Sequence, residues 1–314
     1  MTPGVAAPAT RIVSLLAGAT EIVYALGLGD RLVGISHECD YPPEVLDRPR
    51  VSRSRFDPSR LDAAEIDRAV RRAMEKHGSV YAVDAGRLAA LRPDLVLTQA
   101  VCEVCAVPTA SARQAVAALE AEPAVQSLDA HDLAGIFRTI EEVGAAAGVS
   151  ERAADYVARL RARVDAVQAR VAGRPRPRVL AVEWLDPPFV PGHWVPEMIE
   201  IAGGQNLAGR GCERSVQVRW SDIQGLDPDV LVIAPCGLGL DATCREADRH
   251  GDRLRELAPR AVRSGRAFAV DGSSYFNRSG PRVVDGIEIL GALLHPDSLP
   301  DVALAGRAAR WPRE

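Results

Sequence analysis

Short apolar runs alternate with amphipathic segments along the first half of the chain. The apolar runs predict strands at 11–16, 31–36, 94–99 and 125–128. Apolar residues spaced three or four positions apart predict helices at 21–27, 62–77, 85–91 and 111–120. Strands that alternate with helices are typical of a parallel sheet flanked by helices. We therefore predict an N-terminal α/β lobe at 1–149.

A long helix is predicted after this lobe. The segment 150–172 contains no glycine or proline, and its apolar residues keep a helical spacing. At about 1.5 Å per residue such a helix is roughly 33 Å long, which is about the width of a small domain. We therefore expect 150–172 to link two lobes.

The strand and helix alternation begins again after this helix. The segment Leu-Arg-Pro-Asp-Leu-Val-Leu at 91–97 has a counterpart in Leu-Asp-Pro-Asp-Val-Leu-Val at 226–232. In each copy a helix is expected to end before the proline, and an apolar strand follows. A final strand is predicted at 267–271 and a closing helix at 283–294. The second α/β lobe thus occupies 173–314.

Composition and charge narrow the class of protein. With 314 residues, of which 47% are hydrophobic and 25% charged, the chain can bury a large core. Its formal net charge of −4, with arginines dispersed among acidic residues, argues against a nucleic-acid partner. No run approaches the roughly 20 apolar residues that span a bilayer, so membrane insertion is not expected. The N-terminus lacks the pattern of a secretory signal, which predicts a cytoplasmic location.

Segments rich in Cys, His, Trp, Glu and Arg follow several of the apolar runs directly. They lie at 37–41, 102–105, 183–184, 192–194, 235–237 and 275–278. In open parallel sheets, ligands bind outside the carboxyl ends of the strands. We therefore expect these segments to converge on one crevice, although they are far apart in sequence.

Cysteines are the strongest candidates for metal ligands. Cys102 and Cys105 form a Cys-x-x-Cys pair, whose spacing suits a metal, an iron–sulfur cluster, a redox dithiol or a structural pair. A structural zinc site usually has a second such pair, and the sequence contains none. Cys39 and Cys236 are the best placed to complete a ligand set from across the crevice. The predicted metal ligands are therefore Cys39, Cys102, Cys105 and Cys236.

Other side chains in the same segments suit a large flat ligand. Aromatic faces with a few directed polar groups are a common pocket design. The predicted ligand-binding residues are His37, Glu38, Tyr41, Glu183, Trp184, His193, Trp194, Tyr275, Phe276 and Arg278. Core packing of the tryptophans, backbone hydrogen bonds from His and Glu, and salt bridges of Arg278 and Arg282 are the alternatives. No nucleophile elbow, Walker loop or His-Glu-x-x-His motif occurs, so no catalytic residue is predicted.

The order of these features resembles a known superfamily. Arg-Ile-Val-Ser-Leu at 11–15, the Pro-Asp-Leu-Val segment and the long helix are similar to the helix-linked (class III) substrate-binding proteins of ABC transporters. The resemblance covers about 11–296. The blocks at 37–42, 102–107, 192–198 and 275–282 are similar to a branch usually labelled cobalamin-binding proteins. The resemblance to this superfamily implies a two-lobed fold that captures cobalamin, ferric siderophores, haem or metal ions.

Two functions from different classes follow. The leading hypothesis is a cytoplasmic receptor or carrier that closes on a corrinoid-like or metal-bearing small molecule between its lobes. An ABC transporter permease is a partner only if the chain is exported, which requires a leader missing from this sequence. The competing hypothesis is an enzyme in which Cys39, Cys102, Cys105 and Cys236 hold a metal or an iron–sulfur cluster.

Overall fold

A computed structural model of the chain describes residues 7–58, 60–101, 106–117, 119 and 122–313. The strands are β1 (Ile12–Ser14), β2 (Leu32–Ile35), β3 (Ser52–Ser54), β4 (Tyr81–Val83), β5 (Leu95–Thr98), β6 (Ala124–Ser127), β7 (Arg178–Val182), β8 (Trp184–Leu185), β9 (Pro188–Val190), β10 (Gln205–Asn206), β11 (Val216–Gln217), β12 (Val230–Ile233), β13 (Ala267–Val270) and β14 (Ala308–Arg310). The helices are α1 (Ala17–Ala25), α2 (Ala63–His77), α3 (Ala85–Leu91), α4 (Thr109–Val116), α5 (Leu133–Ala146), α6 (Ser150–Val171), α7 (Val195–Ile201), α8 (Trp220–Ile223), α9 (Leu240–Arg249), α10 (Gly251–Leu257), α11 (Pro259–Arg263), α12 (Gly272–Tyr275) and α13 (Val283–Leu294).

The first large sheet contains the four strands predicted for the N-terminal half. Its order is β2-β1-β5-β6, and each neighbouring pair is parallel. Val13 and Val96 are fully buried on one face, and Ile12 and Leu97 on the other. Strands buried on both faces read as continuous apolar runs, which is why the sequence located them.

The second large sheet has the order β10-β7-β12-β13-β14. Its first four strands are parallel, whereas β14 pairs antiparallel with β13. The prediction that 267–271 is the final strand is therefore wrong. β14 has the sequence Ala-Ala-Arg and is only partly buried, so it carries no apolar run. Its position depends on pairing with β13 and on Trp311, which is 1% exposed.

Helix ends agree with the local signals in α2 but not in α1. Asp62 forms a capping box with Glu65 at the start of α2, and Gly78 ends it with φ of 66°. By contrast, α1 begins at Ala17, although the sequence predicted a helix only from residue 21. This helical position is a glycine because a side chain there would meet the backbone of Ser279.

Side chains of α6 bond to residues that precede this helix in the sequence and to residues that follow it. Arg152 donates a hydrogen bond to the carbonyl oxygen of Leu26 over 2.7 Å. Arg163 makes a bidentate contact with Glu288 of α13, at 2.9 and 2.7 Å. One apolar core continues from the first sheet past α6 to the second. The exact division into domains at 149 and 172 stays a prediction. Within the described ranges, no helix is both long and apolar enough to cross a membrane.

Candidate functional site: a cleft between the two sheets

The carboxyl ends of parallel strands from both sheets carry the polar side chains predicted for the site. β2 leads into 36–41 of the first sheet, and β7 leads into Glu183 of the second. β12 leads to Cys236, and β13 leads through α12 to Asn277 and Arg278. This placement is the one expected of a ligand site in parallel α/β sheets.

Cys236 lies where the two halves meet. Its N–H donates to the carbonyl oxygen of Glu183 over 3.0 Å. Burial raises the pKa of the Cys236 thiol, and the charges of Glu183 and Glu38 raise it further. Burial also raises the pKa of Tyr81, again with contributions from Glu38 and Cys236. Side chains from both halves therefore share one electrostatic environment, and the Cys236 thiol is kept protonated at neutral pH.

Glu183 is a carboxyl group held in largely apolar surroundings. The Ser215 hydroxyl donates to Glu183 Oε2 over 2.9 Å. Burial raises the pKa of Glu183 to about 7, although the Ser215 hydrogen bond acts in the opposite direction. A substantial fraction of Glu183 is therefore neutral at pH 7, so it can donate as well as accept a hydrogen bond.

His37 packs against Tyr81 within the first half of the chain. Its Nδ1 lies 3.0 Å from Ser52 Oγ, and its ring centroid lies 4.9 Å from that of Tyr81. Its Nε2 lies 3.1 Å from Glu38 Oε1, but the angle does not satisfy hydrogen-bond geometry. The contact with His37 lowers the pKa of Glu38. Ser52 and Tyr81 thus hold the His37 ring, and its Nε2 has no hydrogen-bond partner among the described residues.

Arg278 crosses from the second half to the first. Its Nη2 donates to Asp40 Oδ2 over 2.9 Å and to Ser273 Oγ over 3.2 Å. The same nitrogen lies 3.4 Å from the carbonyl oxygen of Glu38. Arg278 therefore forms a salt bridge, which was the alternative to ligand binding, and this bridge with Asp40 joins the two halves.

Glu21 and Arg282 form a second, deeper bridge between the halves. Arg282 Nη2 donates to Glu21 Oε1 over 2.6 Å, and Glu21 is 3% exposed. Arg278 Nη1 lies 3.4 Å from the same oxygen. The guanidinium of Arg282 stacks 4.1 Å from the ring centroid of Tyr41. Burial raises the pKa of Glu21 despite both arginines, so its charge depends on them for compensation.

The predicted aromatic residues differ in their surroundings. Trp194 is 7% exposed and Phe276 1% exposed, and Trp194 Nε1 donates to the Phe276 carbonyl oxygen over 2.6 Å. These two rings fit the core-packing alternative. Tyr275 packs between two arginines, Arg282 and Arg307. Two further predicted residues remain partly accessible: Trp184, on the hairpin that follows Glu183, and His193, which stacks on His131 with centroids 6.1 Å apart.

Comparison with known proteins assigns the family. A family model described as periplasmic binding protein matches residues 12–268. The chain belongs to the periplasmic binding protein family. It is a substrate-binding protein of the periplasmic type, which confirms the resemblance and the α/β fold set out from the sequence.

Relatives of this periplasmic binding protein match it over most of their length. The uncharacterized ABC transporter substrate-binding lipoprotein YvrC of Bacillus subtilis is 26% identical, covering 93% of this chain and 82% of the relative. The vitamin B12-binding protein of Vibrio cholerae is 24% identical, covering 90% and 87%. A solved periplasmic heme binding protein from Pseudomonas aeruginosa is 27% identical with a TM-score of 0.67, covering 92% and 93%.

Of the four predicted cysteine ligands, Cys39 and Cys236 lie in the described part of this binding protein. Cys39 is fully buried, with Sγ 3.0 Å from Thr20 Oγ1 and 3.3 Å from Ser36 Oγ. The described residues contain no group of three or more His, Cys, Asp or Glu that could hold a metal ion. Cys102 and Cys105 lie outside the described residues, so the four-cysteine site stays a prediction.

Several side chains of the cleft were missed from the sequence. Glu21, Tyr81, Ser215 and Asn277 each contact or face a predicted site residue, or line the cavity beside one. Glu21 follows β1 closely, as the other site segments follow their strands, so the strand-end rule could have found it. Tyr81 and Ser215 lie outside the parallel sheets, on β4 and beside the β9–β11 pair, and no sequence signal connects them to the cleft.

Replacing Gly18 with alanine should push the two halves apart. An added Cβ would lie 2.5 Å from the Ser279 carbonyl oxygen, which belongs to the other half of the chain. Overpacking of this kind costs about 1–3 kcal/mol. We expect lower stability to urea and a larger radius of gyration by small-angle X-ray scattering. Gly86→Ala on α3 is the control, because its nearest contact is 3.5 Å away. Equal stability to urea and an equal radius of gyration in the two variants would contradict the close contact at Gly18.

Proposed function

We propose that this binding protein captures a corrinoid or another flat, metal-bearing small molecule, such as haem, in the cleft between its halves. The observation that carries the proposal is the convergence of His37, Glu38 and Tyr81 with Glu183 and Cys236. These residues come from strand ends or neighbouring elements of both halves, and the charges of Glu38 and Glu183 both act on Cys236. Relatives named for vitamin B12 and heme binding support this class of ligand.

The bridges across the cleft support capture by closure. Arg278 with Asp40, and Arg282 with Glu21, join the halves close to the site. Helix α6 is tied to both halves by Arg152 and Arg163, so the opening motion should be a limited hinge. An ABC transporter permease is the proposed partner for the case in which the chain is exported. The cytoplasmic location itself stays a prediction.

Ligand titration tests the proposal directly. Cyanocobalamin and haemin are added separately to the purified chain, and binding is followed by tryptophan fluorescence and by the ligand's visible spectrum. We expect saturable binding of one molecule of at least one ligand per chain. If neither cyanocobalamin nor haemin binds saturably, the proposal is wrong.

A substitution at Trp184 should weaken that binding. Trp184 is partly accessible beside Glu183, so a bound ligand would cover it. A tryptophan that is buried at the centre of a binding site often contributes about 2 kcal/mol, or roughly 30-fold in Kd. We expect this loss for Trp184→Ala in the same titration. Trp220→Ala is the matched control, because Trp220 is also partly buried but packs against the apolar core of the second sheet. An unchanged Kd for Trp184→Ala would remove this residue from the site.

A further inference from the structure

Two histidines from opposite halves of the chain stack on each other. His131 follows β6 in the first half, and His193 follows β9 in the second. Their ring centroids lie 6.1 Å apart, and the ring planes are inclined by 26°. His131 is exposed, whereas His193 is half-buried, and its Nε2 is buried without a hydrogen-bond partner among the described residues. Two side chains that gain a proton near neutral pH therefore meet at a contact between the halves.

The backbone around His193 fixes its imidazole at this contact. Its φ of 50° lies in the left-handed region, which is uncommon for residues other than glycine and costs free energy. The His193 N–H donates to the carbonyl oxygen of Glu213 over 2.6 Å, and the His193 carbonyl oxygen accepts from the Cys212 N–H over 3.0 Å. The Trp194 ring packs beside the imidazole, with centroids 5.6 Å apart. The surrounding fold thus holds a strained histidine against its counterpart from the other half.

Two carboxylates close to the pair in sequence are engaged by backbone N–H groups. Asp132 Oδ1 accepts from the Gly135 N–H over 2.6 Å, and Glu197 Oε2 accepts from the Leu133 N–H over 2.9 Å. Both carboxylates therefore bind the start of α5. Neither of them forms an ion pair with an imidazole of the pair, so a proton gained there has no dedicated counter-charge.

The loop at 210–214 adds positive charge beside the pair. Its Glu213 carboxylate is exposed and lies 3.7 Å from Arg210. Desolvation and nearby carboxylates raise the pKa of the Cys212 thiol, so that thiol is uncharged at neutral pH. The positive charge of Arg214 acts on His193. This loop therefore opposes protonation of His193.

Contact between the halves makes His193 a weaker base. Burial lowers the pKa of His193 below its ordinary value of 6.5, and the charges of His131 and Arg214 lower it further. Separation of the halves would hydrate the imidazole and move it away from His131, so its pKa would return towards 6.5. The closed form, in which the halves are in contact, then binds protons less tightly than the open form. Closure is therefore favoured above about pH 6.5 and weakens as the pH falls through that value.

We propose that His131 and His193 form an acid-sensitive contact that opens the cleft when both imidazoles are protonated. At the observed separation, repulsion between two imidazolium groups changes the ratio of closed to open form by about threefold in a water-like surrounding, and by more where water is excluded. Release of a captured molecule is then favoured in mildly acidic surroundings. The inference concerns the equilibrium between the two forms, so it does not depend on which molecule the cleft binds.

The first test follows the opening of the halves with pH. Small-angle X-ray scattering of the full chain without ligand gives the radius of gyration at pH 5.5, 6.5 and 7.5. We expect the wild type to expand at pH 5.5 and His131→Gln to lose most of that expansion, because one of the two charges is missing. Position 131 is exposed, so this variant should fold normally. His77→Gln is the matched control, since His77 is exposed on α2, and it should expand as the wild type does.

The second test measures the coupling between the two imidazoles. A titration of the His193 ring by nuclear magnetic resonance, assigned with His193→Gln, gives its proton affinity in the wild type and in His131→Gln. We expect that affinity to rise about threefold or more in His131→Gln, because the repulsion is removed. A histidine that only fills space at position 131 would leave it unchanged.

The outcomes decide the inference without reference to ligand binding. Expansion in acid that is lost in His131→Gln, together with the rise in proton affinity of His193, supports it. An unchanged radius of gyration in the wild type, equal expansion in His131→Gln, or equal proton affinities of His193 would each overturn it. The titrations with cyanocobalamin and haemin test the proposed function separately, so failure of one proposal leaves the other standing.

Discussion

Replacing Glu21 with alanine should lower the free energy of unfolding by about 3–5 kcal/mol, because it leaves buried arginine charge without its partner. Arg282 donates to Glu21 over 2.6 Å, and Arg278 lies 3.4 Å from the same oxygen. The buried ion cluster need not stabilise the fold relative to apolar residues of the same size. Removal of one member is nevertheless costly, since the remaining charges cannot be solvated.

The measurement is urea unfolding at pH 7, followed by circular dichroism. Glu21→Gln keeps a hydrogen-bond acceptor for Arg282, so we expect a smaller loss than for alanine. Glu142→Ala is the matched control, because Glu142 is exposed on α5. A loss below about 1 kcal/mol for Glu21→Ala, similar to an ordinary surface substitution, would show that the cluster is not buried as described.

Glu183 should make the stability of the protein fall as pH rises from about 5 to 8. The pKa of Glu183 is raised from 4.5 to about 7 in the folded state. Between these two values the folded state retains a proton that the unfolded state has released, so stability decreases with increasing pH and levels off above pH 7. A shift of this size corresponds to about 3 kcal/mol for a fully buried group. Glu183 retains some solvent contact, so we expect about 1–3 kcal/mol.

Comparison with Glu183→Gln isolates this effect from other titrating groups. Urea unfolding at pH 5, 6, 7 and 8 gives the stability difference between the variant and the wild type. We expect that difference to shift in favour of the variant by about 1–3 kcal/mol across the range. Glu213→Gln on the same half is the control, because the Glu213 side chain is 59% exposed. A difference that stays constant with pH for Glu183→Gln would mean that this carboxyl titrates normally.

The buried strands and capped helices were predictable because their signals are local. β5 and β12 are continuous apolar runs after a proline, and the structure places them in the interior of two parallel sheets. The Asp62 and Gly78 signals located the ends of α2. The same reasoning failed at α1 and β14. In α1, Gly18 lies within the helix, where it packs closely against the backbone of Ser279. β14 is held by its pairing with β13 and not by apolar residues of its own.

The candidate site was predictable only as a set of segments. The amino-acid sequence determined the two α/β halves, the helix at 150–171 and the strand ends at which polar side chains collect, because each depends on apolar period and turn residues within a short window. Tertiary structure alone decided which of those side chains meet. Arg278 with Asp40 and Arg282 with Glu21 are each separated by more than two hundred residues. Whether such groups become partners depends on packing of the whole chain, which no local pattern encodes.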